Sequence, residues 1–210
     1  GHYVDSSLGS GQSSQTPCPS GTFQTQTGQA YCDYADAGYY VDSSFGAGQI
    51  SQTPCPAGTY NPSTGATSVN DCLGADLGHY VNLSLGPSQT QQTPCPAGTY
   101  NPTLSSTNYS DCIGSDAGYY VDLVLGPGQS NQFPCPAGTY QPNSGQISCE
   151  IADSGHYVDS SSGNRQTNQS SCSPGTFNQN IGSTSIGDCV YAGPGHYVNL
   201  SFGGWQSSQS

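Results

Sequence analysis

The 210-residue chain has no lysine and a single arginine, Arg165, against 13 acidic residues, for a formal net charge of −12. Neutralising a polyanion requires Lys and Arg, so the composition argues against nucleic acid as a partner and offers nothing to an anionic membrane surface. No stretch approaches the roughly 18 apolar residues of a spanning helix, and none sustains a 3.6-residue period. The sequence therefore predicts no membrane insertion in this segment and little or no helix. Methionine is absent, and the chain opens directly on a repeat with no signal-like segment. Leu, Ile, Val and Phe total 29 residues, which in so acidic a chain is the composition of disorder.

Ten cysteines oppose that reading. The word "PCPAGTY" stands at 54–60, 94–100 and 134–140, with drifted copies at 17–23 ("PCPSGTF") and 172–177 ("CSPGTF"). A second marker, Gly-[His/Tyr]-Tyr-Val, begins at Gly1, Gly38, Gly78, Gly118, Gly155 and Gly195, at intervals of 37 or 40 residues. Such a period is the signature of a tandem array. The boundaries follow as repeats 1–37, 38–77, 78–117, 118–154 and 155–194 and a partial sixth at 195–210. Starting in register and stopping short of the next expected Cys, the chain reads as an excerpt of a longer array. The expected fold is mainly β and irregular: small disulfide-stapled repeats strung into an elongated rod or filament.

A 40-residue unit cannot bury enough apolar area to offset its chain entropy, and disulfides are the usual supplement. Persistent disulfides imply an oxidising compartment, hence an extracellular or cell-surface, secreted protein. The leading Gly precedes the first Cys by 17 residues in every repeat, and the second Cys precedes the next Gly by 6; only the Cys-to-Cys spacing varies, between 14 and 17. A segment that tolerates insertion is a surface loop with its ends held together. This favours Cys18–Cys32, Cys55–Cys72, Cys95–Cys112, Cys135–Cys149 and Cys172–Cys189. The rival scheme joins the second Cys of one repeat to the first of the next, 23 residues on, and spacing alone leaves both open. Zinc ligation would want C-x-x-C or His at ligand spacing, and neither occurs.

Within the repeat, Gly at the ninth position marks a turn, from Gly9 to Gly203. Gln recurs at the twelfth and fifteenth positions, as in Gln49 and Gln52, or Gln206 and Gln209; side-chain amides bonding exposed backbone is the simplest account. Pro and Gly of "CPAG" shape a corner, and Tyr60, Tyr100 or Tyr140 is expected to cover the bridge with the main apolar ring of its repeat.

Candidate chemistry is sparse. His2, His79, His156 and His196 share one repeat position, which elsewhere holds Tyr39 and Tyr119, so the site accepts an aromatic body with a polar tip. Arg165 and Trp205 are the single-copy oddities, and no Ser-His-Asp or free-thiol site can be assembled within one repeat. No catalytic residue, resident cofactor or metal is assigned. Asp36, Asp76, Asp116 and Asp153 precede the leading Gly, and Asp5, Asp42, Asp122 and Asp159 follow the Tyr-Val. Calcium between repeats is one reading of these carboxylates; a solvated acidic face is preferred, because the spacing is not that of a compact calcium loop. Asn82, Asn108, Asn168 and Asn199 each open an Asn-x-Ser acceptor for N-linked glycan. Ser and Thr number 50, a composition that also suits O-linked sugar.

The stretch "CPAGTYNPSTGATSVNDC" at 55–72 resembles the Cys-Pro-x-Gly-Thr-Tyr unit of ephrin-receptor-like and growth-factor-receptor-type cysteine-rich repeats. The resemblance covers the Cys-to-Cys part of each repeat and implies disulfide-stapled β modules used on cell surfaces for spacing and protein contact. The regular period with glycan acceptors also looks like the shaft of an extracellular glycosylated fibril protein. The expected function is that of a non-enzymatic structural subunit that self-associates into such a filament. The alternative is the monomeric stalk of a receptor or adhesin.

Overall fold

A computed structural model of the chain describes residues 1–199, 208 and 209. Ser201, Gly203, Trp205 and Gln206 lie outside the described residues.

Extended steps of a few residues, each closed by Pro or Gly, can pair only briefly, and every strand is two residues long. In the first repeat His2–Tyr3 pairs antiparallel with Thr16–Pro17, and Thr22–Phe23 with Asp33–Tyr34. The same two ladders recur as Tyr39–Tyr40 with Thr53–Pro54 and Thr59–Tyr60 with Leu73–Gly74. The last pair is His156–Tyr157 with Ser170–Ser171, and Thr176–Phe177 with Val190–Tyr191. Ten such two-stranded ladders and no α-helix occur among the described residues. The chain is thus a tandem array of small disulfide-stapled hairpins. It divides into two compact units, Gly1–Pro94 with Pro102–Asp111, and Cys95–Asn101 with Cys112–Ser210.

Single 3-10 turns complete each repeat. One kind spans Ser6–Leu8, Ser43–Phe45, Leu83–Leu85, Leu123–Leu125 and Ser160–Ser162. Its N-cap is Asp5, Asp42, Asn82, Asp122 or Asp159, whose side-chain oxygen accepts the N–H two residues on. Its C-cap is the ninth-position Gly, with φ between 85° and 94° and ψ near 180°, a conformation open essentially to Gly alone. The other kind, Val69–Asp71, Tyr109–Asp111 and Ile186–Asp188, lies in the three longer Cys-to-Cys loops. There the extra residues form one turn, closed by capping boxes at Ser68/Asp71 and Ser185/Asp188.

The largest fully buried apolar side chains are Val41, Val81, Val121 and Val158, at the fourth position of their repeats, with Cys18, Cys135 and Cys172. Tyr60, Tyr100 and Tyr140 are only half-buried, which corrects the expectation that these rings supply most of the core. A large ring on a two-stranded ribbon has no second layer to lie beneath, whereas the compact Val is enclosed by the repeat's own loop. The valine N–H donates to the loop carbonyl of Ala66 at 2.9 Å in the second repeat, and equivalently to Ser106, Gln146 and Ser183. Buried amides fill the remaining interior: Gln24, Asn61, Asn101, Gln141 and Asn178 are each at most 3% exposed.

Candidate functional site, the junction between repeats

Those five amides follow the Thr-aromatic step directly, and Asn61 and Gln141 each work as a three-way hub, of which the others show one or two arms. The backbone carbonyls of Asn61, Gln141 and Asn178 accept the N–H of the leading glycines Gly38, Gly118 and Gly155 at 2.7–2.8 Å. Their backbone N–H groups reach forward: Gln24 donates to the Gln49 carbonyl and Asn61 to Gln89 in the first unit, and Asn101 to Gln129 and Gln141 to Gln166 in the second, at 2.9–3.1 Å. The side-chain carbonyl accepts the N–H two residues on, at Gln26, Ser63, Asn143 and Asn180.

A second forward contact reverses the direction of donation. Gly65 donates to the Ala35 carbonyl and Ser105 to Ala75 in the first unit; in the second, Gly145 donates to Ser115 and Gly182 to Ala152, all at 2.7–2.8 Å. Successive repeats therefore meet backbone to backbone, which requires the absence of a side chain where they touch. A Cβ on Gly21, Gly58, Gly98 or Gly138 would overlap the carbonyl oxygen of Gly65, Ser105, Gly145 or Gly182 in the next repeat. A Cβ on Gly38 or Gly118 would overlap Ser88 or Arg165. This is why both marker words carry glycine. In the second unit the Arg165 guanidinium also stands 5.9 Å over the Tyr119 ring, a cation–π contact that the junction gains from the chain's one arginine.

The paired glutamines belong to the same junction. The twelfth-position Gln donates its amide to the ninth-position Gly carbonyl, from Gln12 to Gly9 at 3.2 Å through Gln166 to Gly163 at 2.8 Å. The fifteenth-position Gln clasps the Asp that closes the preceding repeat. Gln52 Oε1 accepts the Asp36 N–H while its Nε2 donates to the Asp36 carboxylate, both at 2.7 Å. Gln92 with Asp76, Gln132 with Asp116 and Gln169 with Asp153 repeat that clasp. At Gly193, which has no side chain to offer, Gln209 retains the backbone half.

Each sequence-identified site residue falls outside or around this junction. Disulfides join Cys18–Cys32, Cys55–Cys72, Cys95–Cys112, Cys135–Cys149 and Cys172–Cys189, with Cα separations of 5.6–5.7 Å and no free thiol among the described residues. Persistent bridges of this kind are the chemistry of an oxidising compartment. Asn108 and Asn168 are exposed, and Asn82 and Asn199 half-exposed. Asn82 caps its turn through Oδ1, which also accepts the Ser84 hydroxyl at 2.6 Å. The glycan-bearing atom of an acceptor Asn is the other one, Nδ2. The His79 and His156 rings place Nδ1 3.1 and 3.3 Å from the carbonyls of Leu77 and Ser154; a carbonyl only accepts, so Nδ1 carries the proton. One carboxylate set is committed to clasps and the other to caps. Hydrogen bonds from the Ser side chain and N–H hold the Asp5, Asp42 and Asp159 carboxyls below the ordinary range. Among the described residues no three His, Cys, Asp or Glu side chains gather in a metal-binding group, and no helix is long and apolar enough to cross a membrane.

A concavity of about 530 Å³ lies in the loop of the second repeat, where Asn61, Thr64, Ala66, Asp71 and Leu73 contribute to a lining of small and polar groups. The amide hub escaped sequence reasoning, although its signal was present: the residue after Thr-aromatic is Asn or Gln in all five copies. Comparison with protein-family models and with curated proteins finds no match to this chain.

Proposed function

We infer that the protein is a non-enzymatic structural subunit of an extracellular, glycosylated filament or surface fibre. The observation that carries this reading is the junction: four successive contacts use the same backbone donors and acceptors, the same glycine approach and the same Gln–Asp clasp. A contact that one repeat makes to the next can be made again at each step, and a step repeated without closing is the geometry of a fibre. The resemblance to ephrin-receptor-like and growth-factor-receptor-type repeats supports a role in spacing and contact at the cell surface. N-linked glycan at Asn82, Asn108, Asn168 and Asn199, with O-linked sugar on Ser and Thr, would solvate an array that owns so little core.

Electron cryo-microscopy of the native material tests the reading. A continuous filament whose axial repeat matches the 37–40-residue unit, with branched density at the four Asn, is expected. Isolated short rods with bare Asn side chains at every concentration refute it and favour the stalk of a receptor or adhesin.

A further inference from the structure

Arg165 is the one side chain in the array that a trypsin-type protease can select, since the chain has no Lys and no second Arg. It stands at the eleventh repeat position, where Gly11, Gly48 and Gly128 take a positive φ of 77–82° and Ser88 one of 68°. Arg165 adopts φ +84° there, a backbone that disfavours any residue with a Cβ, and an outlier of this kind persists only where its surroundings hold it. Three contacts hold it, all from the fourth repeat. Its carbonyl oxygen lies so close to Gly118 that a Cβ there would come within 2.4 Å of it. Its guanidinium stands over the Tyr119 ring, and the next carbonyl, of Gln166, accepts the Gln141 N–H at 2.9 Å. Residues 163–165, 167 and 168 are nevertheless exposed, as in the loop tips that proteases prefer.

We propose that the Arg165–Gln166 bond is a latent processing site for an arginine-directed serine protease, closed by the junction between the fourth and fifth repeats and open when that junction parts. Such an enzyme takes its substrate as an extended strand, with the arginine in a carboxylate-bearing pocket and the scissile carbonyl oxygen between N–H donors. In the closed junction the arginine carries a positive φ, its guanidinium is engaged by Tyr119 and its carbonyl oxygen faces Gly118, so recognition and attack are blocked together. Parting the junction releases all three at once. Hydrolysis then adds water across the bond, leaving a carboxylate on Arg165 and an amino group on Gln166. Cys135–Cys149 ends before the bond and Cys172–Cys189 begins after it, so the cut severs the array rather than nicking a stapled loop. The site converts the opening of one junction into an irreversible break, whether the array is a filament or a stalk.

Trypsin is the probe, acting on the unglycosylated, disulfide-bonded 210-residue chain so that no sugar at Asn168 shields the bond. Initial cleavage rates, with products mapped by mass spectrometry, are compared with those of a synthetic peptide of residues 160–171. The folded chain should be cut at least about 100-fold more slowly than the peptide, and only into 1–165 and 166–210. Tyr119→Ser should speed the cut about two- to fivefold, and Tyr119→Phe, which keeps the ring, should leave it unchanged. Gly118→Ala should speed it at least about tenfold; if that variant fails to fold, the Tyr119 pair carries the test. Exchange of the Gln141 N–H should accelerate in parallel, while protection of the Val41 and Val81 N–H groups in the first unit reports that the rest of the array stays folded. A folded chain cut as fast as the peptide overturns the proposal. So does a resistant chain in which Tyr119→Ser leaves the cleavage rate at the wild-type value.

Discussion

Replacing Ala66 with Ser tests whether the buried amides are the interior of this fold. The Asn61 side chain is 3% exposed, and its Nδ2 is a buried donor without a partner. In the fifth repeat the corresponding Asn178 Nδ2 donates to the Ser183 hydroxyl at 2.7 Å and to the His156 carbonyl at 3.2 Å. Ser183 and Ala66 are equivalent, since each carbonyl accepts from the buried valine of its repeat, Val158 or Val41. The third repeat also has Ser here, and the Ser106 hydroxyl donates to the Thr103 carbonyl at 3.1 Å. A hydroxyl at 66 thus finds both a donor in Asn61 and, by the same geometry, an acceptor in the Ser63 carbonyl.

A net intramolecular hydrogen bond is worth about 1 kcal/mol, and a stranded buried donor costs about 1–3 kcal/mol. Ala66→Ser should therefore stabilise the second repeat by about 1–2 kcal/mol, and Ser183→Ala should destabilise the fifth by about 1 kcal/mol, because Asn178 keeps one acceptor. A tandem array need not unfold in one step, so the readout must be local. Amide exchange at Ser63 and Val41, whose N–H groups donate to Asn61 Oδ1 and the Ala66 carbonyl, should slow by about fivefold or more. Unchanged protection in Ala66→Ser together with a neutral Ser183→Ala would refute the claim that these amides hold the repeats.

Gly138→Ala, at φ +77°, sets a Cβ against the Gly182 carbonyl and should remove exchange protection from the Gly182 N–H. Gly46→Ala carries the backbone strain alone, at φ +85° with open space around it, and should cost about 1–3 kcal/mol. Replacing Cys55 and Cys72 together by Ser opens a loop of 17 residues and should destabilise the second repeat by about 3 kcal/mol, read as proteolysis within residues 61–71 that spares the other loops. The Asp42 carboxyl is held below its ordinary value of 3.8 by the Ser44 side chain and N–H. A depressed folded pKa gives stability that is present above the unfolded value and lost as pH falls through the folded one. The Ser44 amide should therefore hold its shift to below pH 3.8 in wild type and show no such step in Asp42→Asn, where the cap persists as it does at Asn82.

The spacing rule and the choice of amide are one feature. Where the cysteines are 14 apart the hub is Gln24 or Gln141; where they are 17 apart it is Asn61, Asn101 or Asn178. In the short loops the longer side chain reaches the carbonyl of the residue before the second Cys, Tyr31 at 3.1 Å and Ser148 at 2.9 Å. In the fifth repeat an extra 3-10 turn accompanies the longer loop, and the shorter Asn finds the Ser183 hydroxyl instead. Both halves of that covariation are visible in the sequence, and so are the period, the variable loop and the ninth-position turn, because each is a local preference of Gly, Pro or Cys. The partners of the glutamines and the reason for two glycines per repeat were not visible. They are contacts across 16 or more residues, as between Gln52 and Asp36 or between Gly138 and Gly182, and an invariant letter does not say what it touches. The vacancy at Ala66 lies between these cases: the three long-loop copies, with Ala66, Ser106 and Ser183, expose the substitution, but only the direction of the Asn61 amide makes it a defect.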